Sequence, residues 1–139
     1  MCGVVTIVAM DGRTVPSALL ERMTGSVAHR GPDDFGYACI DPRTGSMRAW
    51  TSAAPAAELS GILFGHRRLS ILDLTPGGHQ PMFNDDRSMA IAFNGEIYNY
   101  IELRDELQKL GAVFRTRSDT EVLLKAYEQW GDAAARTSL

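Results

Sequence analysis

The run Gly3-Val4-Val5-Thr6-Ile7-Val8-Ala9 constrains this chain more than any other stretch. It is short, continuous and rich in β-branched residues, which reads as a buried strand. A buried strand must place its N–H and C=O groups in a ladder, so the fold has to contain other strands to receive them. Asp11-Gly12 closes the run as a turn.

The remaining chain supplies strands and helices. Pro16 sits where a first helical residue is tolerated, and Leu19, Leu20, Met23 and Val27 recur at helical spacing, so a helix is predicted from Pro16 to about Ala28. His29 to Asp34 is punctuated by Gly and Pro and reads as a loop. Gly36 to Ile40 is a second strand, and Ser46 to Thr51 pairs back on it through the turn signals Asp41-Pro42 and Thr44-Gly45. Ser52 to Ser60 is rich in Ala, Ser and Pro and reads as a flexible loop. Ile62 to His66 is a strand, followed by an apolar segment to Leu74 that carries Arg67 and Arg68. After the Pro76 to Pro81 loop, Met89 to Phe93 reads as a strong strand ended by Asn94-Gly95.

Ile101 to Leu110 is a helix closed by Gly111, a favourable residue just past a helix end. Val113 to Arg115 reads as a short strand. Ser118-Asp119-Thr120-Glu121 has the capping-box pattern, and Val122, Leu123, Ala126, Tyr127 and Trp130 continue it as a helix that Gly131 ends. The expected fold class is α+β, one domain over residues 1–139, with helices covering largely antiparallel sheet.

Charge narrows the partners. Charged residues make up 22% of the chain, the net charge is −3, and no basic stripe occurs, which argues against nucleic acid and anionic membrane. No apolar run approaches the roughly 20 residues that span a bilayer. The N-terminus has no positive region before its apolar run, so no secretory signal is read there. Cys2 and Cys39 form neither a disulfide framework nor a zinc spacing. The expectation is a cytoplasmic chain with free thiols and no metal.

Few residues can carry chemistry. A Cys at position two lets Met1 be trimmed, which puts a thiol and a free α-amine on one residue, with reference pKa values of about 8.5 and 7.7–8.0. That pairing is the logic of N-terminal nucleophile catalysis; the competing reading of Cys2 is a small core residue. Asn94-Gly95 is either a hairpin turn or an oxyanion hole built from an amide and a backbone N–H. Arg68 and Asp119 suit the carboxylate and ammonium of an amino acid; otherwise they are a solvated charge and a first-turn acid that favours the helix dipole. His29, His66 and His79 are scattered and show no metal spacing, and Cys39 reads as core.

Taken in order, Met1-Cys2-Gly3, His29-Arg30-Gly31-Pro32-Asp33, Gly65-His66-Arg67-Arg68-Leu69-Ser70-Ile71, Gly78-His79-Gln80-Pro81-Met82, Phe93-Asn94-Gly95-Glu96-Ile97-Tyr98-Asn99 and Ser118-Asp119-Thr120-Glu121 closely resemble the class II glutaminase domain of asparagine synthetases. The resemblance runs to about residue 131. It implies the N-terminal-nucleophile hydrolase fold, two stacked antiparallel sheets flanked by helices. It implies that Cys2 attacks the glutamine amide with its α-amine as base, and that Asn94 and Gly95 hold the oxyanion. Arg68 would bind the α-carboxylate, with backbone groups of Leu69, Ser70, Ile71 and Leu72, and Glu96 and Asp119 would receive the α-ammonium. In the family, ammonia passes to a synthetase domain that uses ATP and Mg to amidate aspartate, often in a homodimer; no cofactor is expected in the glutaminase domain itself.

Two departures from that pattern set further expectations. No ATP-pyrophosphatase signature occurs in these residues, so no synthetase domain is expected. The family usually continues past Trp130-Gly131 into a Gly-Met-Phe-Ala-Phe-Ala strand that the segment from Ala133 to Leu139 lacks, so the last strand is expected to be missing and the chain to be a fragment, a truncated product or half of a split enzyme. Thr44 to Gly61 is longer than usual and reads as a surface insertion. The competing functions are a non-catalytic module that binds glutamine or a partner, an amidotransferase with an acceptor other than aspartate, and a thiol redox protein, the last disfavoured by the lack of a Cys-x-x-Cys.

Overall fold

A computed structural model describes residues 1–9, 11–52 and 57–134. Its elements are β1 (Gly3–Ala9), β2 (Val15–Pro16), α1 (Ser17–Ser26), β3 (Asp34–Ile40), β4 (Met47–Trp50), β5 (Glu58–Leu59), β6 (Gly61–Arg68), β7 (Met82–Phe83), β8 (Ala90–Ile91), α2 (Tyr100–Lys109) and α3 (Asp119–Trp130), with short 3₁₀ turns at Ala28–Arg30, Pro76–Gly78 and Gly131–Ala133. This is a mixed α/β fold with antiparallel sheets and few helices.

The main sheet is four-stranded in the order β1-β6-β3-β4, antiparallel throughout. Register puts Val5 and Tyr37 on either side of Gly65, and Ile7 and Cys39 on either side of Leu63. That face meets α1: Leu20 and Leu63 are fully buried, and Tyr37, Cys39 and Leu59 join them in one core cluster. Gly65 makes the close approach possible, since a Cβ there would lie 1.9 Å from Thr24 Oγ1. β1 is an edge strand, and its burial alternates instead of being continuous. Val8 is 55% exposed, because α1 covers only one face of the sheet.

A second core cluster lies between α2 and α3, where Ile97, Leu103, Leu107, Val122 and Ala126 are buried together. Among the described residues, β2 pairs only with β5, and β7 only with β8.

Several local expectations are corrected. Pro16 caps α1 from outside with extended backbone at ψ 137, so the helix starts at Ser17 and ends at Ser26. The predicted strand from Met89 to Phe93 shrinks to Ala90–Ile91, because the Phe93 N–H goes to the Gln80 side chain instead of a ladder. Val113 to Arg115 forms no strand; the Glu121 carboxylate takes the N–H groups of Arg115 and Thr116 at 2.8 and 2.7 Å. The capping box is therefore half right. Ser118 Oγ accepts from the Thr120 N–H at 3.1 Å, but Glu121 reaches the preceding loop and not the cap. Gly111 and Gly131 follow their helices at positive φ of 97 and 57, the conformation glycine tolerates best. Of the expected Ser52 to Ser60 loop, residues 53–56 lie outside the described residues, and Glu58–Leu59 is a short strand. The segment expected to lack a last strand lies, from residue 135 on, outside the described residues too.

Candidate active site

One cavity of about 380 Å³ opens at the end of the main sheet, against the start of α3. It is lined by Cys2, Arg68, Leu69, Ile71, Leu72, Asn94, Gly95, Glu96 and Asp119, nine of the ten residues singled out from the sequence. Ser70 is the exception: it does not line the cavity, and its N–H donates to Asp33 Oδ2 at 2.7 Å.

Cys2 directly precedes β1, and the pairing of Gly3 with Arg67 carries it to the end of β6. The Leu69 N–H donates to Cys2 Sγ at 3.3 Å, and Sγ also lies 3.8 Å from Leu69 O. Arg30 Nε donates to the Cys2 carbonyl at 3.0 Å and anchors the N-terminus. Met1 still precedes Cys2, lines the same cavity and is 73% exposed.

Arg68, the last residue of β6, is only 5% exposed, so it is not a solvated surface charge. Nη1 donates to Thr75 O at 3.1 Å and Nη2 to Leu72 O at 3.1 Å, with Asp73 O a further acceptor for Nη2. These bonds leave Nε–H and one Nη1–H of the five guanidinium donors for a ligand. Gly78 makes room for the fork, since a Cβ there would sit 1.9 Å from Nη2. Asp73 holds the same loop from its far side. Its carboxylate accepts from Thr75 Oγ1, Thr75 N and, at 2.7 Å, Arg117 N. The hydrogen bond from the Thr75 hydroxyl is the main cause holding its pKa below the usual carboxylate range.

Asp119 is the first residue of α3 and is 6% exposed. Its Oδ2 accepts from the Ile97 N–H at 3.1 Å, which ties the Asn94–Ile97 segment to the helix start. Asn94-Gly95 is not a hairpin turn: β8 ends at Ile91 and the next element is α2. Both residues face the cavity with exposed side.

The profile of the family described as "Glutamine amidotransferase domain" matches residues 1–138. This chain belongs to that family. Among its relatives are asparagine synthetase [glutamine-hydrolyzing] 1 of Bacillus subtilis, 44% identical over 84% of this chain and 15% of that protein. A putative asparagine synthetase [glutamine-hydrolyzing] of Mycobacterium tuberculosis is 38% identical over 94% of this chain and 20% of that protein. One from Methanocaldococcus jannaschii is 35% identical over 94% of this chain and 24% of that protein. The chain thus spans about a fifth of the length of these curated relatives. The amidotransferase domain is of an enzyme type.

Sequence reasoning passed over several residues of this cavity. Gln80, Phe93, Tyr98, Ser118 and Thr120 also line the cavity. Gln80 lies within a motif string, and only its burial and partners mark it out. His66 is fully buried, with Nε2 at 3.1 Å from Phe93 O, and burial pushes its pKa below the ordinary value. His79 Nδ1 is 2.7 Å from Asp34 Oδ2. Cys39 is buried in the core beneath α1, and neither cysteine is in a disulfide. Among the described residues no cluster of His, Cys, Asp and Glu can hold a metal ion, and no helix is long and apolar enough to cross a membrane.

Proposed function

We propose that this domain hydrolyses glutamine to glutamate and ammonia through a Cys2 thioester. The observation that carries the reading is the convergence of Cys2, Arg68, Asn94, Gly95 and Asp119 on one cavity. Removal of Met1 frees the α-amine of Cys2. That amine, directly or through water, takes the thiol proton as Sγ bonds to the side-chain amide carbon of glutamine. The carbonyl electron pair moves onto oxygen, where the Asn94 amide and the Gly95 N–H donate to it. Collapse breaks the C–N bond, and ammonia leaves with the proton carried by the α-ammonium. Water then attacks the γ-glutamyl thioester, the C–S bond breaks, and glutamate and the thiol are restored.

Substrate orientation follows from the remaining groups. Arg68 binds the α-carboxylate through its two uncommitted N–H groups, with Leu69, Ser70, Ile71 and Leu72 contributing backbone. Glu96 and the free oxygen of Asp119 receive the α-ammonium. The named relatives are glutamine-hydrolysing asparagine synthetases by their names, which supports delivery of the ammonia to a synthetase domain or subunit; the N-terminal-nucleophile hydrolase fold, a homodimer, and ATP and Mg in that synthetase belong to the same proposed reading. No cofactor enters the glutaminase steps.

The test is glutamate release from protein whose N-terminal mass shows Met1 removed, with acid-quenched samples examined for a glutamyl adduct on Cys2. An adduct on Cys2 and loss of turnover in Cys2→Ala support the reading. Unchanged glutamate release in Cys2→Ala overturns it.

A further inference from the structure

The Asn94 side chain makes no hydrogen bond among the described residues, so no hydrogen bond there fixes its direction. The residue before it is held firmly. The Phe93 N–H donates to Gln80 Oε1 at 2.6 Å, and Phe93 O lies 3.1 Å from His66 Nε2. A backbone N–H can only donate, so the Gln80 amide must present its oxygen to Phe93 and its nitrogen to Thr120 Oγ1, 3.1 Å away. A carbonyl can only accept, so His66 carries its proton on Nε2. The three side chains are buried: His66 is 0%, Thr120 2% and Gln80 5% exposed.

From this arrangement we infer that Gln80 and His66 are positioning residues, which grip the Phe93 peptide from both sides and thereby aim the Asn94 and Gly95 donors. The inference rests on the glutaminase reading. Phe93 transmits the grip in two ways. Its peptide leads directly into Asn94, and its ring lies under Gly95, where a Cβ would come within 2.7 Å of the ring Cζ. Stability alone does not explain His66. Its Nδ1 is buried without a partner among the described residues, which costs stability that an apolar side chain would not. What the imidazole adds is the N–H on the Phe93 carbonyl. Gln80 adds a second link, because Thr120 follows Asp119 at the start of α3. The Gln80 amide thus braces the Phe93 peptide against the first turn of α3.

The test is a double-mutant cycle on Met1-processed protein. Gln80→Met keeps the length of the side chain and loses both hydrogen bonds. It is expected to lower kcat by about 10- to 100-fold, the range for a misplaced catalytic donor, with KM for glutamine within about twofold. In an Asn94→Ala background the same change should cost clearly less than it does in the wild type, because one of the two donors it aims is gone. Gln80→Glu should recover most of the turnover, since its carboxylate accepts from Phe93 and the Thr120 hydroxyl can reverse and donate. Fully additive losses in the cycle, or a loss confined to KM, overturn the inference. If Gln80→Met does not fold, the isosteric Thr120→Val releases one end of Gln80 and is read in the same cycle with the same expectations. If the wild-type protein releases no glutamate, the glutaminase reading has failed, and the grip is read by NMR. Gln80→Met, or Thr120→Val in its place, should then speed amide exchange at Phe93 and shift the Gly95 resonance. Unchanged Phe93 and Gly95 signals overturn the grip itself.

Discussion

The backbone N–H of Leu69 donates to Cys2 Sγ at 3.3 Å, so the thiol is held by the residue that follows Arg68. Register causes this: Gly3 pairs with Arg67, and the two strands end together at the cavity. The proposed nucleophile and the proposed carboxylate anchor are thereby held at the ends of adjacent strands of one sheet.

Cys2→Ala should abolish glutamate release while leaving glutamine binding within a few-fold, because Arg68 and Asp119 are held by bonds that do not involve the thiol. Protein that retains Met1 should be equally silent, since its Cys2 nitrogen is locked in a peptide bond. Calorimetric titration beside a glutamate assay reads both. Turnover by Met1-bearing protein at the rate of processed protein would rule out the α-amine as base.

Arg68→Lys should raise KM by about 10- to 150-fold, corresponding to roughly 1.5–3 kcal/mol for a charge-assisted hydrogen bond, with a smaller fall in kcat. A lysine cannot reproduce the planar fork that ties Leu72, Asp73 and Thr75 while facing a carboxylate. Gly78→Ala should act in the same direction, because its Cβ would collide with Nη2. Steady-state kinetics in both variants checks this. An unchanged KM with collapsed kcat would show that Arg68 does something other than hold the carboxylate.

Asn94→Ala should lower kcat by about 10²–10³ with little change in KM, the usual cost of one oxyanion donor. The side chain is exposed to the cavity and makes no internal hydrogen bond among the described residues, so the fold should be untouched. Circular dichroism run beside the kinetics separates the two effects. A cooperative melt lost along with the activity would return Asn94 to a structural role.

The buried His66 should make the domain less stable below about pH 6.5, the ordinary imidazole value. Burial holds its folded pKa lower, against the raising effects of the Phe93 carbonyl and Asp34 and with the lowering effects of His79 and Arg68. Above about pH 6.5 both folded and unfolded states are neutral at this residue, so it adds no pH dependence. As pH falls through that value the unfolded chain binds a proton that the fold does not. Stability is then lost at up to about 1.4 kcal/mol per pH unit until the folded group titrates. Denaturant melts from pH 7.5 to 5 on wild type and His66→Phe read the difference in slope, and NMR of the imidazole reads the titration directly. A His66 ring half-protonated at pH 6.5 contradicts the prediction.

The parts legible in the sequence are those with local periodicity or a local cap. β1, the β3–β4 hairpin, β6, α2 and α3 follow from runs in which each residue's environment repeats at a fixed spacing. Cys2, Arg68, Asn94 and Asp119 each leave an ordinary reading open when taken alone, and it is the order of the motifs around them, resembling one family, that singles them out. The strands expected at Met89 to Phe93 and Val113 to Arg115 largely dissolve, because Gln80 and Glu121 side chains capture amides that propensity gives to a ladder. Position along the chain also cannot reveal that Gln80 joins Phe93 to Thr120, that His66 grips Phe93, or that Asp73 reaches the Arg117 amide. Those partners are separated by 40, 27 and 44 residues, and no periodicity relates them. The sequence by itself determined the strongly periodic elements and the side chains able to carry chemistry; only the docking of α3 and the Asn94 loop against the end of β6 decided how they meet, because hydrogen bonds act over about 3 Å and that distance exists only once the tertiary packing is in place.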